Sequence, residues 1–253
     1  MKKELAIFDN LVKLDRSNLI CVASRPGMGK TSLALHMALE YVKQSHNTVY
    51  IFSCELLQKQ MRDRIIGAMA EVNTHRMRDN LLSEEQEQSI QRAKEQLKRS
   101  RVIIEDDSSI TVEELEKRLD QIEDLGLVLI DYLELVRYNQ KMNSCEEEHS
   151  AVLSKLKMLT QKRNVPIIVT THLARRLERR KDKHPLLSDL SFHSRMAEDA
   201  DTVILLYRDA YYNITEYSES EIADVMIAKN QYGIAQTVHL EWLHGCGKFK
   251  PIQ

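Results

Sequence analysis

Glycine and proline are scarce in this chain of 253 residues, seven and four respectively, which argues against long disordered or collagen-like segments. No apolar run approaches the ~20 residues a helix needs to cross a bilayer. The charged start Met1-Lys2-Lys3-Glu4 also lacks the apolar stretch of a signal peptide, so no membrane partner is expected. Cysteines are few: Cys21, Cys54, Cys145 and Cys246 lie far apart, two of them inside apolar runs. That pattern reads as reduced, buried thiols in a cytoplasmic protein rather than disulfides or a zinc site. The nine histidines show no metal-ligand spacing either. A large charge of one sign is missing too. A net charge of −2 argues against a globally basic nucleic-acid binder and leaves room for a local basic patch.

What is present alternates strand and helix, the pattern of an α/β fold with a mostly parallel sheet between helices. The apolar runs Asn18–Ala23, Thr48–Ser53, Arg101–Ile104, Leu127–Ile130, Pro166–Thr171 and Thr202–Tyr207 read as strands. Helices are expected over Gly29–Lys43, over Glu55–Val72, and up to Asn164 after the polar stretch Asn139–Glu148. Ser83 with Gln86, and Thr111 with Glu114, read as capping-box starts of two more. Ile222–Ala228 and Thr237–Trp242 flank Tyr232-Gly233, which predicts an antiparallel hairpin on the sheet's edge. With no internal repeat and no clear linker, residues 1–253 read as one domain, with residues 1–17 a short N-terminal extension.

The clearest chemistry lies at Ser24-Arg25-Pro26-Gly27-Met28-Gly29-Lys30-Thr31, followed by Ser32, between an apolar strand and a helix. Backbone N–H groups of a tight loop and a helix N-terminus together cradle phosphate. Gly27 and Gly29 allow the required backbone angles and close approach of phosphate oxygens. Lys30 would neutralise β- and γ-phosphates of ATP, and the Thr31 hydroxyl would take a place on Mg²⁺. One position departs from G-x-x-x-x-G-K-T: its first glycine is Ser24. Asp131, closing the apolar strand LVLID, is the candidate acid for the metal's water shell. Glu55 follows TVYIFSC and is the candidate base, emerging at the carboxyl edge if its strand lies beside that of the phosphate loop. Glu134, a weaker candidate three residues past the end of its strand, is expected to point elsewhere. His172 ends the strand PIIVTT, where a polar group could sense the γ-phosphate.

These residues, with Phe52-Ser53-Cys54-Glu55, Leu129-Ile130-Asp131-Tyr132-Leu133, Asn164-Val165-Pro166, Ser188-Asp189-Leu190, Asp199-Ala200-Asp201 and Tyr207-Arg208-Asp209, resemble the ATPase domain of DnaB-type replicative helicases. The resemblance runs in order from about residue 14 to residue 243. It implies a RecA-like P-loop NTPase fold, usually a six-membered ring of identical subunits around single-stranded DNA, with nucleotide bound between neighbours. Carried over by position, Lys30, Glu55, Asp131 and His172 form the catalytic set, Thr31 and Asp131 hold the metal, and Arg208 lies against the nucleotide base. Histidine at 172 is familiar in phage relatives, where bacterial members usually carry glutamine.

Three departures bear on function. Residues 1–17 alone precede the first strand, so the family's N-terminal domain, and with it docking of some replication proteins, is expected to be lacking. The family's Lys-x-Arg, whose arginine reaches into the neighbouring subunit's site, is Lys229-Asn230-Gln231 here, leaving Lys229 and Gln231 as the trans-acting candidates. The loop that holds DNA in the family reads Ser-Asp-Leu-Ser-Phe-His-Ser at 188–194, without its arginine and glycine. Against these stands a basic stretch with Arg175, Arg176, Arg179, Arg180, Lys181 and Lys183, which could follow a phosphate backbone or simply form a solvated surface. A degenerate helicase-like regulator or loader, binding nucleotide and a replication partner without unwinding DNA, is therefore the alternative reading. A recombination or signalling ATPase of the same fold matches the Asp-Tyr-Leu and Tyr-Arg-Asp landmarks less well.

Overall fold

The computed structural model describes residues 12, 14, 17–190, 195–213 and 220–252. Six apolar runs form parallel strands: β1 (Leu19–Ser24), β2 (Thr48–Ser53), β3 (Val102–Asp106), β4 (Leu125–Asp131), β5 (Ile167–His172) and β6 (Thr202–Tyr207). Three more continue the sheet antiparallel: β7 (Ser220–Asn230), β8 (Gln236–Leu243) and β9 (Lys248–Pro251). The order across the sheet is β3-β2-β4-β5-β1-β6-β7-β8-β9. The outer position expected for the hairpin is corrected by this order, because β9 lies outside β8. Lys-Phe-Lys-Pro escapes the periodicity test because the run is short and only Phe249 in it is buried.

Side chains alternate between the two faces of each strand, and each face has its own core. Ile20 and Val22 of β1 join Leu33 and Met37 of α1 (Lys30–Gln44) on one side. Leu19, Cys21 and Ala23 join α5 (Val112–Leu119) and α6 (Cys145–Arg163) on the other, through Leu115, Leu119, Val152 and Leu156. The central strands are buried on both faces, which explains their unbroken apolar character. A smaller cluster of Ile66, Val72, Ile90 and Ala93 joins α2 (Gln58–Ala70) to α4 (Glu84–Arg99), with the short α3 (Thr74–Arg78) between them.

Both capping boxes form. Ser83 Oγ accepts from Gln86 N, Thr111 Oγ1 accepts from Glu114 N, and each partner side chain reaches back. Asn164 ends α6 in the left-handed region at φ 53°. The helix expected from Glu55 starts only at Gln58. Ser53 Oγ donates to Leu56 O at 2.6 Å and accepts from Leu56 N, a local turn that competes with helix. Glu55 is thereby left exposed on the loop leaving β2.

Candidate nucleotide site

The phosphate loop joins β1 to α1. Gly27 (φ 78°) and Gly29 (φ 99°) are both in the left-handed region, and Gly29 caps α1. A Cβ on Gly29 would come within 3.0 Å of Trp242 Cη2, so the loop lies directly on the indole. The Ser24 hydroxyl turns onto Arg25 O at 2.9 Å, which is how the loop accommodates a side chain at the usual glycine. Amide donors at the start of α1 have no intrahelical partner and suit an anion.

Lys30 and Thr31 are both buried. Lys30 Nζ is 3.0 Å from His172 Nε2 and 5.4 Å from the centre of the Tyr132 ring. Among the described residues no carboxylate pairs with it, so a nearly buried cation stands free for phosphate. Thr31 Oγ1 donates to Asp131 Oδ1 at 2.9 Å and Oδ2 at 3.1 Å, and Thr170 Oγ1 donates to Oδ1 at 2.5 Å. Asp131, 1% exposed, is thus met by two hydroxyl donors. A hydroxyl beside a carboxylate is an all-oxygen donor set of the kind Mg²⁺ prefers alongside phosphate and water.

Glu55 lines the same cleft, of about 1360 Å³, as Lys30, Thr31, His172 and Trp242. Its strand is separated from β1 by β4 and β5, so the expected adjacency is corrected. The carboxyl ends of all these strands still share one edge, and that brings Glu55 to the site. Burial first, then Glu55, Glu134 and Asp131, push the Tyr132 phenol above its ordinary value. Burial, then Asp131, push the Cys54 thiol up to about 12, leaving it a protonated packing residue at neutral pH.

Two residues expected at the nucleotide, Arg208 and Arg25, make contacts to other parts of the chain. Arg208 Nη2 donates to Gly27 O at 3.0 Å, Nη1 pairs with Glu221 at 2.9 Å, and the guanidinium lies over Trp242. Burial pushes this guanidinium below its usual value, opposed by Glu221 and Tyr211. Arg208 therefore braces the loop from behind. Arg25 reaches Glu178 at 2.8 Å and Leu173 O at 2.7 Å, tying the loop to the segment after β5. Pro26 is exposed, Met28 is buried, and Ser32 faces the turn at Gly247.

Glu134 also departs from expectation. Its Oε1 accepts from Thr171 Oγ1 and His172 N, both at 2.7 Å, so it points to the end of β5. Sequence reading passed over Tyr132, Thr170 and Trp242. Thr170 carried a signal, standing two residues before His172 on the same face of a strand.

Lys229 and Gln231 lie at the far end of the sheet, since Lys229 pairs in register with Val203 at the start of β6. Lys229 Nζ donates to Ala197 O at 2.9 Å and Glu198 O at 2.8 Å, at the end of α7 (Met196–Asp199). Gln231 is exposed. In the basic stretch, Arg180 pairs with Asp189 at 3.0 Å, Arg176 donates to Ser188 O, and Lys183 sits over Tyr212. Arg175, Arg179 and Lys181 are exposed, with no ion pair to any described residue. Ser191, Phe192, His193 and Ser194 of the altered loop lie outside the described residues, as does most of the 1–17 extension.

A parallel sheet carrying a phosphate loop on β1, an acid on the non-adjacent β4 and a polar sensor position on the intervening β5 defines a RecA-like P-loop NTPase. The family model of the DnaB-like helicase C terminal domain matches residues 1–251, and the chain belongs to that family. The replicative DNA helicase DnaB of Geobacillus stearothermophilus is 34% identical over 242 residues, covering 94% of this chain and 53% of the relative. The replicative DNA helicase DnaC of Bacillus subtilis matches with the same identity and coverage. Among solved structures, an isolated ATPase domain superposes with a TM-score of 0.86 at 29% identity, covering 94% of this chain and 86% of that one. A DnaB-like replicative helicase, solved to show its interactions with primase, gives 0.87 at 29% identity over 95% of this chain and 60% of that one. The chain spans about half the length of the curated relatives it matches. Among the described residues no helix is long and apolar enough to cross a membrane.

Proposed function

We propose that this chain is the ATP-hydrolysing motor of a replicative DNA helicase, working in the cytoplasm as a homo-oligomer, with a hexameric ring as its assembled form. The observation that carries the reading is Lys30, a nearly buried ammonium at a helix N-terminus with no carboxylate partner among the described residues. Such a cation is costly to bury and is stabilised by the phosphates it receives.

ATP lies with its phosphates on the loop 24–31, and Lys30 neutralises the β- and γ-phosphates. Thr31 and Asp131 hold Mg²⁺, which supplies charge neutralisation of the phosphates when bound. Glu55, exposed at the mouth and free to move, takes the proton of the attacking water. His172 faces the γ-phosphate position and registers its loss. Lys229 and Gln231 lie at the far end of the sheet from their own site, the position from which a neighbouring subunit would be reached. Single-stranded DNA runs over Arg175, Arg179 and Lys181, and other replication proteins are the expected partners.

The test is ATP turnover with and without single-stranded DNA at low salt, on a sample of measured assembly size. DNA stimulates turnover, and Lys30→Ala lowers it by at least about a hundredfold. Hydrolysis indifferent to DNA, with no DNA binding, overturns the motor reading. One observation favours a slower, regulatory ATPase: Lys229 is already engaged by two carbonyls and Gln231 is neutral, so no free cation is offered in trans. A gain in turnover for Gln231→Arg in the assembled form would support that reading.

A further inference from the structure

His172 stands between two groups of opposite charge. Its Nε2 meets the Lys30 ammonium at 3.0 Å, and its Nδ1 faces Glu134 Oε1 at 3.6 Å. An ammonium has three donors and no acceptor, so Nε2 must present its lone pair to Lys30. In the neutral ring the proton then resides on Nδ1, toward the carboxylate. The same Glu134 oxygen accepts from the His172 backbone N–H and from Thr171 Oγ1, so one side chain holds the strand end and its neighbour and lies beside the ring's Nδ1. The Tyr132 ring lies edge-on to His172, with centroids 4.9 Å apart, and closes a third side.

We propose that Glu134 is a positioning residue, which orients His172 and keeps its proton on Nδ1 so that Nε2 faces the phosphate site. A carboxylate behind an imidazole fixes both ring orientation and tautomer, as it does for histidines that ligate metals. Glu134 touches no substrate in this arrangement. Its hydrogen-bonded oxygen is committed to β5, which also removes it from contention as the base that activates water. When a γ-phosphate draws Lys30 away, the Nε2 lone pair is left without a donor, because phosphate oxygens are themselves acceptors. Its next hydrogen bond then depends on how firmly the other nitrogen holds its proton.

The inference rests on the ATPase reading only for its kinetic arm. The structural arm is ¹⁵N NMR of the His172 ring in the nucleotide-free chain in a Lys30→Met background, which removes the ammonium that would impose the tautomer by itself, assigned by difference with His172→Gln. With Glu134 intact this background shows the Nδ1–H tautomer. Glu134→Gln, which keeps an acceptor oxygen but removes the charge, shifts the ring toward a mixture with Nε2–H. Thr171→Val deletes a hydrogen bond to the same carboxylate without touching its charge, and leaves the tautomer unchanged. In turnover, Glu134→Gln lowers kcat by about tenfold with KM little changed. In a His172→Gln background the same substitution adds nothing. An unchanged tautomer in Glu134→Gln overturns the proposal, as does an equal kcat loss in both backgrounds. A wild-type chain that hydrolyses no ATP under any condition overturns the motor reading instead, and the ring spectra still decide the role of Glu134.

Discussion

At the carboxyl ends of β1, β4 and β5 the polar groups are buried and already touch one another, whereas along Arg175–Lys183 half of the cations face water with no ion pair to any described residue. Asp131 holds two threonine hydroxyls, and Lys30 rests against His172 and Tyr132. In the basic stretch, Arg176, Arg180 and Lys183 anchor the segment while Arg175, Arg179 and Lys181 stay free. The difference follows from solvation. A charge removed from water must be matched by the fold, so the phosphate end is preorganised and sensitive to each member. An exposed cation needs no partner and contributes mainly through its field. One salt bridge, Arg25–Glu178, joins the two regions directly.

The largest effect is expected beneath the phosphate loop. Trp242, 6% exposed, carries Gly29 and Arg208 on its ring. Trp242→Ala should cost about 3–5 kcal/mol of stability, read by chemical denaturation. A cost below about 1 kcal/mol would show that the loop does not depend on that floor. The free cations should behave differently. Replacing Arg175, Arg179 and Lys181 together with alanine should leave stability unchanged. It should lower the slope of log affinity against log salt for single-stranded DNA by about 2, from roughly 0.7 per phosphate contact. If stability falls and the slope does not, the division between anchoring and free cations is wrong. The smallest effect belongs to the connecting pair. Arg25 is mostly covered and Glu178 is nearly half exposed, so their coupling in a double-mutant cycle should be about 0.2–1 kcal/mol.

The phosphate loop was legible because its chemistry is local: eight consecutive residues between a strand and a helix carry the glycines, the ammonium and the hydroxyl. Thr111, Ser83 and Asn164 were legible for the same reason, since caps act within three or four residues. Glu55 was found by a premise the sheet order contradicts, because strands three places apart still end at a common edge. Glu134 was misjudged because its partners, Thr171 and His172, are more than 35 residues away and meet it only where β4 and β5 pair. The contacts of Arg208 to Gly27 O and Glu221 were not legible, because its identity says it is cationic but not which groups it meets.

By itself the sequence determined the strand–helix alternation, the phosphate loop and the family, since each is written in periodicity or in contiguous residues. The tertiary structure alone decided which charges are spoken for. It turned Arg25 and Arg208 into braces, tied Lys229 to two carbonyls, placed Lys30 against His172 with no carboxylate among the described residues, and set Glu134 behind His172. Those outcomes depend on which strands become neighbours, and pairing between distant segments is decided by burial of the whole sheet rather than by any one segment's composition.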